Sequence, residues 1–254
     1  MRAYAAFTKK EFTESLRTSK VLILAAVFLV LGAMSPLFAK LLPDLLNGME
    51  SNGVVISMPE STAMDSWVQF FSNLAQLGMI VLAIIFGGLM SNEFSRGTLV
   101  NVLTKGMKRH IVILSKITVS AVLWTVSYLL CLGVSYAYTA YFWEMPELHN
   151  AFLAFFAPWV FGMFLTQLLI FGGTLFKNFI GSLLSAGIVV TVLGLLSLVP
   201  KFVKYLPTTL CGDNTKLLTG IAATDDYIPA LILTAAVTVL LAIGSILIFN
   251  RKQV

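Results

Sequence analysis

Six stretches of the chain are long and almost wholly apolar: residues 21–39, 68–90, 117–141, 152–176, 179–199 and 228–249. Each approaches the roughly 20 apolar residues that a helix needs to cross hydrocarbon. Polar segments rich in Pro, Gly, Asn and charge separate them, at 40–67, 91–116, 142–151 and 200–227. Only Lys177 and Asn178 divide the fourth and fifth stretches, which predicts a tight helical hairpin. No segment remains for a soluble domain, and no repeat of fixed period is visible. The pattern predicts an all-α membrane protein with one transmembrane domain of six helices over residues 1–254.

Composition points to the same solvent. The chain is 58% hydrophobic and 11% charged, against about 25% charged in a soluble domain. It opens with Arg2, Lys9, Lys10, Arg17 and Lys20 before the first apolar stretch, an order also found in signal peptides. The stretch 21–39 outlasts a signal core of roughly 7–15 residues, and no small-x-small site closes it, so it reads as an uncleaved span. Residues 3–20 have good helix formers and neither Pro nor Gly. On a helical wheel Ala5, Phe12 and Leu16 share one side, and Lys10 and Arg17 another. That predicts a helix lying in the membrane interface, its cations at anionic lipid headgroups.

A net charge of +5 could suggest nucleic acid, but its distribution points to membrane orientation. Cytoplasmic loops carry the excess of Lys and Arg. With the N-terminus inside, the inner segments hold the five residues above, then Arg96, Lys105, Lys108, Arg109 and Lys116, and finally Lys177, Arg251 and Lys252. The outer segments hold only Lys40, Lys201, Lys204 and Lys216. Of the acidic residues, only Glu11, Glu14 and Glu93 fall inside. The alternation holds at every crossing, so both termini are expected in the cytoplasm of a multi-pass cell-membrane protein.

The spans exclude several chemistries. They carry no Asp, Glu, Arg or His at depth, which argues against a proton- or sodium-coupled carrier. Lys116 stands at the cytoplasmic edge of the third span, where its stem can snorkel to the interface. Ser135 follows a Gly-x pair, but His110 and His149 lie outside the spans and supply no base. No metalloprotease pair and no phosphate-binding loop occurs, so the chain is expected to be neither a protease nor an ATPase. Cys131 sits in a span and Cys211 in a loop, so a disulfide between them is not expected. The neutral polar residues Asn73, Gln76, Thr125, Thr166, Gln167, Thr174, Thr191, Thr234 and Thr238 read first as hydrogen bonds between helices. The sharper reading makes Asn73, Gln76 and Gln167 part of a substrate path, because amides can solvate a polar group in transit.

The inner segment 91–116 is the most informative. Residues 98–105 read as a two-turn helix, with Leu99, Val100, Val102 and Leu103 on one arc and Asn101, Thr104 and Lys105 opposite. Gly97 permits a sharp entry and Gly106 a stop. Such a helix packs its apolar side on the bundle and turns its polar side to a cytosolic partner. The outer segment 200–227, with Pro207, Cys211 and Gly212, is long for a connector and reads either as a gate or as a surface loop.

The run Glu93-x-x-x-Gly97-Thr98 after the second span, the short amphipathic helix, and then Lys108-Arg109-His110 and Lys116 leading into the third span resemble the type 2 ABC exporter permease family. The six-span layout, the basic N-terminal helix and the close on Ile248-Phe249-Asn250-Arg251-Lys252 extend the resemblance over essentially the whole chain. Ser95-Arg96 stands where many members carry a more charged run. The resemblance implies that Glu93, Arg96, Gly97, Thr98, Asn101, Thr104 and Lys105 form a coupling helix docking on an ABC ATPase. It also implies a second permease as dimer partner, ATP and Mg2+ held by the ATPase and not by this chain, and short helices at 200–227 dipping into the outer leaflet. Membrane lipid, and no nucleic acid, completes the expected partners. A hydrophobic or amphipathic cargo, such as an antimicrobial peptide or drug, fits spans without a charged site. The alternative is a membrane scaffold or sensor that transports nothing, or an ion channel or carrier.

Overall fold

The computed structural model describes residues 2–47, 60–95, 97, 104, 106–212 and 214–252. The described residues form helices joined by short turns, and six of these helices are long and apolar enough to cross a membrane. The chain is an all-α, multi-pass membrane protein. Helix α1 (Arg2–Arg17) precedes α2 (Lys20–Asn47). The second span is built from α3 (Ala63–Asn73), a π turn (Leu74–Gly78) and α4 (Met79–Ser95). Then come α5 (Arg109–Phe142), α6 (Ala151–Phe176) and α7 (Phe179–Leu196). The outer segment holds α8 (Pro200–Val203), a 3-10 turn (Pro207–Cys211), α9 (Thr215–Leu218) and a second 3-10 turn (Thr224–Asp226). Helix α10 (Ile228–Arg251) closes the chain.

Local chemistry explains where helices start and turn. Thr62 caps α3 and Asp65 answers it, the Thr62 N–H donating to Asp65 Oδ2 at 2.8 Å. This capping box starts the second span five residues before the apolar run at Val68. Helix α2 continues past Pro36 and Pro43. Pro36 has no N–H to give the carbonyl of Gly32. The freed carbonyl instead accepts from Ser135 Oγ of α5 at 2.8 Å, as neighbouring helices do for prolines in membranes. Gly32 also lets the two backbones meet, since a Cβ there would stand 2.6 Å from the Cys131 carbonyl oxygen. Between α6 and α7, Lys177 adopts φ 59°, and Asn178 Oδ1 accepts from the Gly181 N–H at 2.5 Å. The two-residue hairpin results.

Helix α6 is the centre of the bundle, with 67% of its most apolar window buried. Helices α4, α7 and α10 pack along it, and α2 packs along α5. The windows of α7 and α10 are only 11% buried, so most of their apolar surface faces outward from the bundle. The outer segment is a packed cap and not a loose loop. Leu206, Leu210, Leu217 and Leu218 are buried, and the His149 N–H donates to the Leu218 carbonyl at 3.0 Å.

Most of the membrane threonines do not bridge helices. Thr166, Thr174, Thr234 and Thr238 donate to the carbonyl four residues back in their own helix, which satisfies the hydroxyl without a neighbour. Bridges between helices include Ser66 to Thr139 at 2.6 Å, Asn73 to Ser35 at 3.0 Å and Trp159 to Thr125 at 3.0 Å. Both cysteines are free thiols.

Candidate functional site

The most unusual chemistry lies at the end of the bundle that carries α1 and the C-terminus, the cytoplasmic side by the charge rule. Lys116, two turns into α5, has its side chain 2% exposed. Its Nζ lies 2.8 Å from Glu11 Oε2 of α1 and 3.1 Å from Glu93 Oε1 of α4. Both carboxylate side chains are 6% exposed. Lys10 closes the cluster from the solvent side, reaching Glu14 at 2.7 Å, Glu11 at 3.0 Å and Glu93 at 3.2 Å. Lys116 therefore does not snorkel. Helix α5 begins at Arg109, so the chain is already helical two turns before the apolar run, and α1 and α4 cover the ammonium.

The sequence builds this site from three helices. Phe7, Glu11 and Ser15 are the buried face of α1, and their spacing of four puts them on one stripe. Tyr4 Oη and Thr118 Oγ1 hydrogen-bond at 2.7 Å, and Thr8 Oγ1 donates to Ser115 Oγ at 3.1 Å, fixing α1 lengthwise on α5. Burial disfavours the charge of Lys10, but its hydrogen bond to Glu14 and the fields of Glu11 and Glu93 outweigh that, raising its pKa above the ordinary lysine value. A cavity of about 30 Å3 adjoins the cluster, lined by Lys20, Asn92 and the three glutamates among others. It is large enough for a water molecule. Oxygens of Glu11, Glu14 and Glu93 lie within 4.8 Å of one another, a spacing that could suit a cation. Two ammonium groups already occupy that role.

Neighbouring contacts tie further helix ends to this side. Arg109 Nη1 donates to the carbonyls of Phe249 at 3.1 Å and Asn250 at 3.3 Å, and to that of Lys252. Lys252 Nζ donates in turn to the carbonyls of Thr174 and Leu175 at 2.7 and 2.5 Å. Cations thus meet the exposed carbonyls ending α10 and α6, where the helix dipole favours positive charge.

Among the coupling candidates, Glu93 is buried and turns its carboxylate inward to Lys116 and Lys10. Gly97 ends α4 with φ 64°, its N–H donating to the Phe94 carbonyl at 3.3 Å. Gly106 has φ 82°, and Thr104 is helical and exposed. Arg96, Thr98, Asn101 and Lys105 lie outside the described residues, as does most of the helix expected at 98–105. Among the described residues, Asn73, Gln76 and Gln167 line none of the cavities named here. Asn73 is buried between Gln69 and Ser35, at 3.1 and 3.0 Å. Gln76 is exposed and donates to Ser72 at 3.0 Å. Gln167 is buried, with its carbonyl oxygen lacking a hydrogen-bond partner. A cavity of about 330 Å3 opens instead between α4, α6, α7 and the outer 3-10 turn. Met79, Ala83, Leu165, Ala186, Thr208 and Cys211 are among its walls, none of them charged. The sequence signal for the ion cluster was the placement of Glu11, Glu14 and Glu93, the three acidic residues that the charge rule assigns to the inner segments.

No family model matches the chain. Over 259 residues it is 24% identical to the uncharacterized transmembrane protein YxlG of Bacillus subtilis (strain 168), covering 100% of this chain and 99% of that protein. The likeness spans both chains end to end, so this chain is similar in its full extent to another transmembrane protein.

Proposed function

We propose that the chain is the transmembrane subunit of an ATP-driven exporter of the ABC type, working as a dimer with itself or a similar permease above separate ATPase subunits. The observation that carries this reading is the Lys116 cluster. It joins α1, the end of α4 and the start of α5 where the chain leaves α4 for the segment 96–108. A force applied to that segment moves a three-helix body instead of a compliant loop. The buried ion pairs resist separation because either partner left alone would be an uncompensated buried charge. Since α4 packs along α6, the motion passes to the centre of the bundle. The chain has no phosphate loop, so ATP and Mg2+ belong to the partner. The uncharged cavity of about 330 Å3 is at the lower end of the range for small-molecule pockets, about 300–1,000 Å3, and supports a hydrophobic or amphipathic cargo.

The test is recovery of ATPase activity with this chain from native membranes. Wild type should bring down an ATPase, and a variant with Asn101, Thr104 and Lys105 changed to Glu should not. Lys116→Met should retain the ATPase but lose stimulation of hydrolysis by cargo. If wild type recovers no ATPase activity, the exporter reading fails and a non-transporting scaffold takes its place.

A further inference from the structure

A second feature of α1 is independent of the exporter reading. Apart from the ion cluster, α1 and α5 enclose a groove of about 470 Å3. Its walls are Tyr4, Thr8 and Phe12 of α1 and Val119 and Val122 of α5, with Lys9 at the rim. The Tyr4–Thr118 and Thr8–Ser115 hydrogen bonds hold its two walls together. Thr8 donates to Ser115, and Tyr4 and Thr118 satisfy one another, so the wall hydroxyls are occupied and the interior offers mainly apolar surface. Val122 belongs to the spanning helix and is exposed, so the groove opens towards hydrocarbon.

The cations beside it on α1 differ from those of the cluster. Lys10 is taken up by three glutamates. Lys9 and Arg2 have no acidic partner among the described residues. On the wheel they follow directly on the arc of Phe12, Ala5 and Leu16, and Phe12 and Leu16 are exposed. An apolar arc beside unpaired cations, on a helix at the membrane interface, matches one kind of molecule: a chain of hydrocarbon carrying a negative charge at its end.

We propose that the α1–α5 groove is a binding site for one anionic phospholipid of the adjacent leaflet. Its acyl chain lies between Phe12 and Val122, and its phosphate meets Lys9, with Arg2 adding to the field. The site brings the lipid onto the same helix that supplies Glu11 and Lys10 to the ion cluster. An anionic lipid therefore steadies α1 against α5 alongside the ion pairs.

The experiment uses the purified full chain in neutral detergent. Phosphatidylglycerol or phosphatidylcholine with identical acyl chains is added, and bound lipid is counted by native mass spectrometry. The expected result is preferential retention of phosphatidylglycerol. Lys9→Gln should weaken it about fivefold, equivalent to the about 1 kcal/mol that one cation contributes near an anionic surface. Lys9→Arg should restore it, and Val122→Trp should abolish it by filling the groove with all cations in place. Arg17→Gln, a cation outside the groove, should leave it unchanged. Inorganic phosphate should not displace the lipid. Equal retention of the two lipids, an Arg17→Gln loss as large as that of Lys9→Gln, or displacement by phosphate would each overturn the proposal. Unfolding curves for each variant separate a filled groove from a misfolded chain. If Val122→Trp is folded and still retains the lipid, the groove is not the site.

Discussion

Replacing Lys116 with Met keeps the length of the side chain and removes the charge on which Glu11 and Glu93 converge. Their oxygens lie within 4.8 Å of each other, so two bare carboxylates would repel by at least about 3 kcal/mol at an effective dielectric constant of about 20. Breaking a buried pair by deleting one partner costs about 3–5 kcal/mol. Lys10 still reaches both carboxylates, but its side chain is 43% exposed, so solvent weakens its compensation. The lower end, about 3 kcal/mol, is expected, which corresponds to a fall in Tm of roughly 6–12 °C for a chain of this size. The assay is thermal unfolding in mild micelles, followed by tryptophan fluorescence. The decisive comparison is Lys116→Met/Glu93→Gln, which removes one of the two like charges and should recover more than half of the loss. A fall in Tm below about 2 °C, within the effect of an ordinary surface substitution, would refute the reasoning. So would a double variant less stable than the single one.

Three further outcomes follow from the same structure. Gly162→Ala places a Cβ 2.3 Å from ring atoms of the buried Trp124, breaking the Trp124 Nε1 bond to the Trp159 carbonyl at 3.0 Å; a loss of about 1–3 kcal/mol is expected from overpacking. An unshifted unfolding curve and emission spectrum would show that the ring yields without cost. Burial pushes the Cys211 thiol from 9.0 up to about 12, so maleimide labelling at pH 8 should run about a thousandfold slower than for an ordinary thiol, in proportion to the thiolate present; rapid labelling would contradict that burial. Lys10, held protonated beyond its ordinary value of 10.5, contributes stability that is fully present below that value and lost only as pH rises through the still higher folded value. The stability gap between wild type and Lys10→Met should therefore be flat from about pH 7 to 10, and a gap that closes near neutrality would exclude the ion pairs as its source.

The sequence by itself determined the solvent, the fold class and the six crossings, because each depends on composition within one segment. About 20 apolar residues have no stable place but lipid, and a polar interruption as short as Lys177-Asn178 can only be a hairpin. It also determined that α1 is a separate helix with cations on one side. The helix ends were less legible. The Thr62–Asp65 box and the early start of α5 at Arg109 extend two spans beyond their apolar runs, since a helix stops where its backbone stops bonding and not where hydrophobicity ends.

Only the tertiary structure decided the fate of the charges. Lys116 reads in one dimension as a snorkelling anchor, and Glu93 as part of a docking surface. Lys116 finds Glu11 and Glu93 105 and 23 residues away along the chain, and no local pattern records such a pairing. Likewise Asn73 is turned to Ser35, and the cavity of about 330 Å3 is walled by mainly apolar side chains from several helices that carry no sequence signature. Apolar patterning acts residue by residue through solvent, so it survives reading along the chain. Electrostatic pairing in a buried site acts over a few ångströms between helices, so it exists only once they have packed.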